Sequence, residues 1–359
     1  MKLKLFLIAL FFSILLFLLY LTQTYKTPKQ LDKATKTATI QSVKDLGSFI
    51  QPSNFVRDGT NSVLIGNEIL WTFGDTLLKK PAVDGANYRS NTAALSTVQN
   101  PLLLKEPLDG NGDPYQFIDF TKEEEDFNKS FTNTHQRIAI WPSSLVQVSG
   151  GGAVFYTKLK INPGILNYQP LGVGIATVNP GQTTASRLPD LLFTAPETLF
   201  NKAVKIGPFV YLYGCKKVEE SFKCKLAKVA VESINQKDKY DFWNGTAWSN
   251  NLDAAAYVLD GPSGGLSVSW NSYLHKYLAI YNQALSNRIL LKTADNLQGP
   301  WSQAVVAFTG MSPAQGKVDY GGIEHPELAE QAGKIIYVSY THPNAKLVTD
   351  IRLVQVTFR

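Results

Sequence analysis

Cysteine is almost absent: Cys215 and Cys224 are the only two in 359 residues, and their C-x8-C spacing fits no common zinc site. Histidine is scarce too, and none of the four stands at metal-ligand spacing from another. No glycine-rich phosphate loop precedes a helical pattern. The sequence therefore calls for no metal and no cofactor, and it carries no mark of a calcium site. Long stretches with apolar residues at helical spacing are missing as well. Glycine (26), proline (18) and aromatics (11%) are plentiful instead, which disfavours helix-rich architectures and predicts an all-β fold.

A basic stripe is also lacking. The formal charge of +6 comes from the first 44 residues, where Lys2, Lys4, Lys26, Lys29, Lys33, Lys36 and Lys44 face a single acid, Asp32. The other 28 basic residues are matched by 28 acidic ones. A neutral body is not a phosphate-binding surface, so nucleic acid is not an expected partner.

What is present begins with an uncharged apolar run, Leu5 to Leu21. Its length lies between a signal-peptide core and a spanning helix, and no A-x-A-like cleavage site follows. Residues 1–22 are expected to anchor the chain in a membrane, or to direct secretion if they are cleaved. Lysines flank the run on both sides, so their count does not orient it. Residues 23–41, rich in Thr, Lys and Gln, read as a solvated linker, and 42–359 as one globular domain. In VYLYGCKKVEESFKCKLAKVAV the flanking alternation predicts a hairpin that brings Cys215 and Cys224 within bridging range. A disulfide there implies an oxidising, extracytoplasmic location; two free thiols are the alternative.

One phrase recurs five times: a strand, a short polar turn, an aromatic-rich strand and then a third strand. The copies start at Ser62, Ser144, Lys205, Leu266 and Pro326. LLFTAP, DFWNGTAW and GPWSQAVVAF supply fourth strands. Repetition at about 60 residues predicts a five-bladed β-propeller, with a two-domain β-sandwich as the alternative. The last unit runs out of chain, so its outer strand must come from the N-terminal side, near TATIQSV at 37–43, to cover an open edge.

In the first unit, Gly66-Asn67 suits a two-residue hairpin turn. Partners across such a hairpin have numbers summing to 133, and Asp58 and Asp75 satisfy that sum. Two carboxylates at the open end of one ribbon repel each other, and the usual consequence is that one pKa rises. That is the requirement of acid-base chemistry at a glycosidic bond. The competing reading makes Asp58 a turn residue and Asp75 a loop cap.

If the units are equivalent, residues entering each first strand share one rim. These include Trp141, Asp260, Ser263, Glu324 and His325, with His342 after the return strand of unit five. Acids and an aromatic face around one mouth suit a polysaccharide or oligosaccharide. Arg57, Arg89 and Asn91 are further candidates to order the aspartates or bind substrate. GPSGG at 261–265 satisfies G-x-S-x-G, but a strand rather than a helix follows it, which argues against a nucleophile elbow. DFWNGTAW lacks the acid or amide that a sialidase Asp-box carries.

The stretches RDGTNSVLIGNEILWTFGDT, RSNTAAL, VYLYGC…CKLAKV, WNGTAW, GPSGGLSVSWNSYLHKYLAIY, GPW and HPEL together resemble the family called domain of unknown function 4185, from about residue 45 onward. The resemblance implies a five-bladed propeller similar to glycoside hydrolases, some relatives being endo-D-arabinanases that act on cell-wall arabinan. It also implies that the aspartates of R-D-G and G-D-T, here Asp58 and Asp75, form the catalytic pair. The chain departs from the pattern at Thr60-Asn61, beside the first motif. A sugar-binding or adhesion propeller without catalysis is the alternative.

Overall fold

The computed structural model describes residues 38–130, 136–164, 167–263, 265–311, 316–345 and 348–359. The expected membrane segment and all but the end of the expected linker lie outside them. Among the described residues no helix is long and apolar enough to cross a membrane.

Strand β1 (Ile40–Ser48) and the short β2 (Phe55–Arg57) come first. Sheet one follows with β3 (Asn61–Ile65) and β4 (Glu68–Phe73). The chain then makes β5 (Thr76–Leu78) and β6 (Tyr88–Arg89), which pair with β2 as a small separate sheet. It returns to sheet one as β7 (Thr92–Thr97) and β8 (Asn100–Lys105). A helix, α1 (Lys122–Ser130), leads to sheet two: β9 (Arg137–Val148), β10 (Gly151–Ile161), β11 (Tyr168–Val178) and β12 (Ser186–Thr194). Sheet three holds β13 (Lys202–Ile206), β14 (Phe209–Val218), β15 (Ser221–Ala230), β16 (Asp241–Trp243) and β17 (Trp248–Ser249), with β18 (Tyr257–Asp260) also on β15. Sheet four is β19 (Leu266–Asn271), β20 (Lys276–Asn282), β21 (Arg288–Ala294) and β22 (Val305–Thr309). Sheet five is β23 (Tyr320–Glu324), β24 (Ile335–Ala345) and β25 (Val348–Phe358), finished on its outer edge by β1.

Five apolar clusters show how the sheets stack. Leu70 and Leu95 of sheet one meet Ile140 and Val154 of sheet two. Phe155 and Val173 of sheet two meet Val210 and Leu212 of sheet three. Leu226 and Leu259 of sheet three meet Val268 and Ala279 of sheet four. Ile280 and Leu291 of sheet four meet Ile336 and Val356 of sheet five. Tyr337 and Leu353 of sheet five meet Trp71 and Phe73 of sheet one. Each sheet buries both faces, and the last interface closes a propeller-like ring. No single core exists; stability is spread over five interfaces between sheets.

The closing strand is the one the sequence pointed to. β1 pairs antiparallel with β25, from Ile40 against Phe358 to Ser48 against Arg352. It begins at Ile40, two residues inside the expected linker. The expected first strand at Pro326 is corrected: Pro326–Leu328 and Gln331–Gly333 are short 3-10 turns, and the inner strand is Tyr320–Glu324. Proline at the start of PEL and the left-handed Ala332 (φ 60) prevent extended pairing there. Trp141-Pro142 lies inside β9 rather than before it. A register shift places Phe155 opposite Ser144 and Tyr156 opposite Pro142, so Ser143 is the extra residue of a bulge on this inner edge strand. Edge and bulge are where a strand tolerates proline.

Cys215 and Cys224 face each other on β14 and β15 and are bonded. Replacing both with serine is expected to lower stability by about 2–3 kcal/mol for so short a loop, read by denaturant unfolding. A chain starting at residue 38 should keep a cooperative melt, whereas one starting at residue 49, lacking β1, should lose it or melt far lower.

Candidate active site

The first hairpin sets the site. β3 and β4 pair in the register that sums to 133, Asn61 with Thr72 through Ile65 with Glu68. β2 and β5 resume the same register, Phe55 with Leu78 and Arg57 with Thr76. Between the two ladders stand Asp58 and Asp75, linked through the backbone: Asp58 N–H donates to Asp75 O at 3.2 Å and Gly74 N–H to Asp58 O at 2.8 Å. The glycines of R-D-G and G-D-T have separate reasons. Gly59 takes φ +58, a left-handed conformation that costs a β-carbon-bearing residue free energy. At Gly74 a β-carbon would stand 2.8 Å from Asp58 Oδ1. The carboxylate of the first motif therefore folds over the glycine of the second.

The two acids have different surroundings. Asp75 Oδ1 accepts from Tyr88 Oη at 2.5 Å and from Trp141 Nε1 at 2.7 Å, while Oδ2 accepts from Arg137 Nη2 at 2.6 Å. Arg137 also bonds the Tyr88 hydroxyl and stacks on its ring, 4.1 Å from the centroid. Among the described residues no cation is in contact with Asp58. Its Oδ2 accepts from Tyr320 Oη at 2.7 Å. Burial, and then the negative charge of Asp75, push the Asp58 carboxyl up to about 7, against the Tyr320 hydrogen bond and the more distant Arg137. Both residues keep part of their surface open, the Asp75 side chain 27% of it. Trp141 packs edge-on against Tyr168, ring centroids 5.6 Å apart, and Tyr168 is exposed. An aromatic shelf thus flanks the acids.

Other candidates are placed elsewhere. Arg57 is 1% exposed and not a ligand on the rim. Its guanidinium makes two bonds to Glu106 (2.5 and 3.1 Å), one to Gln51, and stacks 3.5 Å from the Phe73 centroid. Alternation turns Arg57 inward because its neighbour Asp58 turns toward the mouth. Arg89 is buried, held by Asp84 and the Pro114 carbonyl. Asn91 is fully buried and ties Ile118 and Ile140 backbone groups together. These three brace the loops beneath the aspartates rather than touch a ligand.

Glu324 and His325 are also interior. Glu324 accepts from Ser269 Oγ at 2.6 Å, and burial, with Glu327 nearby, pushes its carboxyl up to about 7. His325 bonds Ser62 Oγ at 2.5 Å and Ser339 Oγ at 2.7 Å and packs on Trp71; burial holds its pKa down to about 3, so the ring is neutral. They follow β23 inward and join sheets one, four and five below the rim. His342 is buried against Asp319 at 2.9 Å. Asp260 is exposed and paired with Lys292 at 2.5 Å, and Ser263 donates to Asn282 O at 3.0 Å. Neither touches the acids.

Three residues in contact with the aspartates were not singled out by sequence. Tyr320 directly precedes the Gly321-Gly322 pair, and Tyr88 precedes Arg89, so motif neighbours carried a faint signal. Arg137 carried none, since its role arises only when sheet two docks on sheet one.

The ring, in which a first-unit hairpin presents acids at one rim, belongs to a recognisable class of folds. Similar solved structures include a protein from Bacteroides ovatus ATCC 8483 named provisionally as a hydrolase, 14% identical, covering 92% of this chain and 96% of that one with a TM-score of 0.60. A family 117 glycoside hydrolase from the marine bacterium Zobellia galactanivorans is 9% identical over 90% and 92%, TM-score 0.54. An exo-beta-1,3-galactanase from Phanerochaete chrysosporium, solved with beta-1,3-galactotriose, is 10% identical over 89% and 64%, TM-score 0.53. At such identities the likeness establishes the fold. The model of the family described as domain of unknown function (DUF4185) matches residues 178–350, so the resemblance read from the sequence is shown over that stretch, which does not include Asp58 and Asp75. No curated protein matches the chain.

Two expectations test this geometry. From the ordinary carboxyl range up to about 7 the folded chain keeps a proton at Asp58 that the unfolded chain has released, so this group's contribution to stability declines as pH rises through that window. Asp58→Asn removes the decline, and its melting temperature relative to the parent should climb between about pH 4 and 7 and level off above. Glu106→Gln should cost about 3–5 kcal/mol, because it leaves the Arg57 guanidinium buried without its counter-charge; denaturant unfolding reads it.

Proposed function

We propose that this protein is a glycoside hydrolase acting on a cell-surface or environmental polysaccharide, with Asp58 and Asp75 as its catalytic pair. The observation that carries the reading is the contrast between two acids on one ribbon. Asp58 is raised to about 7 and has a proton to give near neutrality. Asp75 receives two neutral donors and one cation, which suits a carboxylate.

In this reading Asp58 protonates the oxygen that leaves the glycosidic carbon. Asp75 supplies the negative charge on the other side, as base toward water or as nucleophile. Tyr320 orients the acid; Tyr88, Arg137 and Trp141 orient the carboxylate. Positive charge that develops on the sugar ring in the transition state is stabilised by Asp75. The Trp141–Tyr168 shelf offers an aromatic face for the apolar side of a sugar. Arabinan-like furanosides are a first substrate class to try, on the strength of the family resemblance. The galactotriose and family 117 neighbours support a saccharide ligand by fold analogy alone.

The apolar run at Leu5–Leu21 and the Cys215–Cys224 bond support a membrane-anchored, extracytoplasmic site of action. A non-catalytic sugar-binding propeller is the reading that an inactive but glycan-retaining protein would favour.

Reducing-end release from a glycan panel is the test. Asp58→Asn and Asp75→Asn are each expected to lower release by about 10²–10⁴-fold; unchanged release in both would refute the pair. The parent's kcat/KM should fall about tenfold per pH unit above about 7, as Asp58 loses its proton. The anomer first formed, followed by NMR, separates inversion from retention.

A further inference from the structure

The inner strands β3, β9, β13, β19 and β23 all enter the ring from the rim that carries Asp58. Neighbouring inner strands keep step: Asn61 Nδ2 donates to Pro142 O, Ser144 Oγ bonds Asn201 O and Ala203 N, and Glu324 N–H donates to Ser267 Oγ. The third of these strands opens with Lys202. Its ammonium donates to Ser143 O at 3.2 Å, two residues along β9 from Trp141, whose indole binds Asp75.

Lys202 is a misfit as a purely structural group. An ammonium has three donors, yet among the described residues this one makes a single hydrogen bond and no ion pair. It is partly buried, and burial alone drives its pKa down to about 8, with no neighbouring acid to offset it. A strut between two sheets would be served by an uncharged side chain at lower desolvation cost. Lys202 therefore adds a second cation, after Arg137, to the rim that carries the mouth. Such a mouth attracts negative charge.

A second feature on the same rim has the same sign. The β14–β15 hairpin turns there, as β4 and β7 turn through Asp75 and Tyr88. Near its tip Lys216 and Lys223 are directly opposed, a like-charge pairing that is destabilising on its own. The adjacent rung is the Cys215–Cys224 bond, which holds the two strands together. Glu220 engages Lys217 at 3.8 Å, and Asp260 beside Lys223 is paired with Lys292. Lys216 and Lys223 have no ion pair among the described residues.

Resting on the hydrolase reading and narrowing it, we propose that the substrate is an acidic glycan whose anionic group, carboxylate or phosphodiester, is bound by Lys202 on the rim that also carries the Asp58–Asp75 pair. The stapled Lys216–Lys223 hairpin guides the polymer toward that point. Lys202 is thus a specificity-determining residue: its charge selects for acidic repeats.

Affinity electrophoresis of the full-length chain carrying Asp58→Asn separates binding from cleavage. Polygalacturonate, a glycerol-phosphate teichoic acid and neutral arabinan serve as gel polymers. One of the two acidic polymers should retard the protein at physiological salt, and which one identifies the anionic group; arabinan should not. Adding Lys202→Met should weaken retention about tenfold or more, while Lys202→Arg retains it and serves as the control if the Met variant fails to fold. Lys216→Gln with Lys223→Gln should flatten the salt dependence. Equal retention with and without Lys202→Met, or arabinan binding as tight as either acidic polymer, overturns the inference. Cleavage of arabinan lost in Asp58→Asn, without acidic preference, would overturn it and leave the hydrolase standing. An acidic polymer held through Lys202 but never cut by the parent would overturn the hydrolase reading instead.

Discussion

The backbone pairing of Asp58 with Asp75 is the constraint on which the rest of the site depends. Two ladders in one register, Phe55–Arg57 with Thr76–Leu78 and Asn61–Ile65 with Glu68–Phe73, leave these two residues facing each other where the pairing opens. Ribbon geometry thus sets two negative groups together before any tertiary contact forms. The rest of the fold offsets the repulsion, with Arg137 arriving from sheet two and Tyr320 from sheet five. Three sheets must be docked for the pair to be held as it is, so the ring and the site form together.

Support beneath the pair is polar as well as apolar. Arg57 and Glu106 form a buried ion pair directly under Asp58, with Phe55 and Phe73 against the guanidinium. His325, Ser62 and Ser339 link sheets five and one through a neutral imidazole. A buried ion pair adds little net stability but punishes any arrangement that breaks it. Its value here is to fix the direction in which the R-D-G segment leaves β2.

Much of this was legible in the residues because it is local. The Gly66-Asn67 turn, the register, the Cys215–Cys224 rung and the repeat of hairpins follow from short-range pattern, and the closing strand follows from the need to cover an edge. Burial was not legible. Arg57, Arg89, Glu324, His325 and His342 look like ligands in a list, because charged residues seldom lie inside; only their partners Glu106, Pro114, Ser269, Ser62 and Asp319, distant in sequence, explain why they can. Arg137 was missed for the same reason, since its meaning comes from a sheet-to-sheet contact 62 residues away from Asp75.

Ring closure has a directional consequence. Ile40 pairs with Phe358, the far end of a strand whose near end, at Thr349, touches the Arg57 carbonyl beneath the acids. The chain therefore enters the toroid from its back. The rim that carries Asp58 and Asp75 is thus the one farther from Ile40, where the closing strand begins, and that strand's entry does not obstruct it.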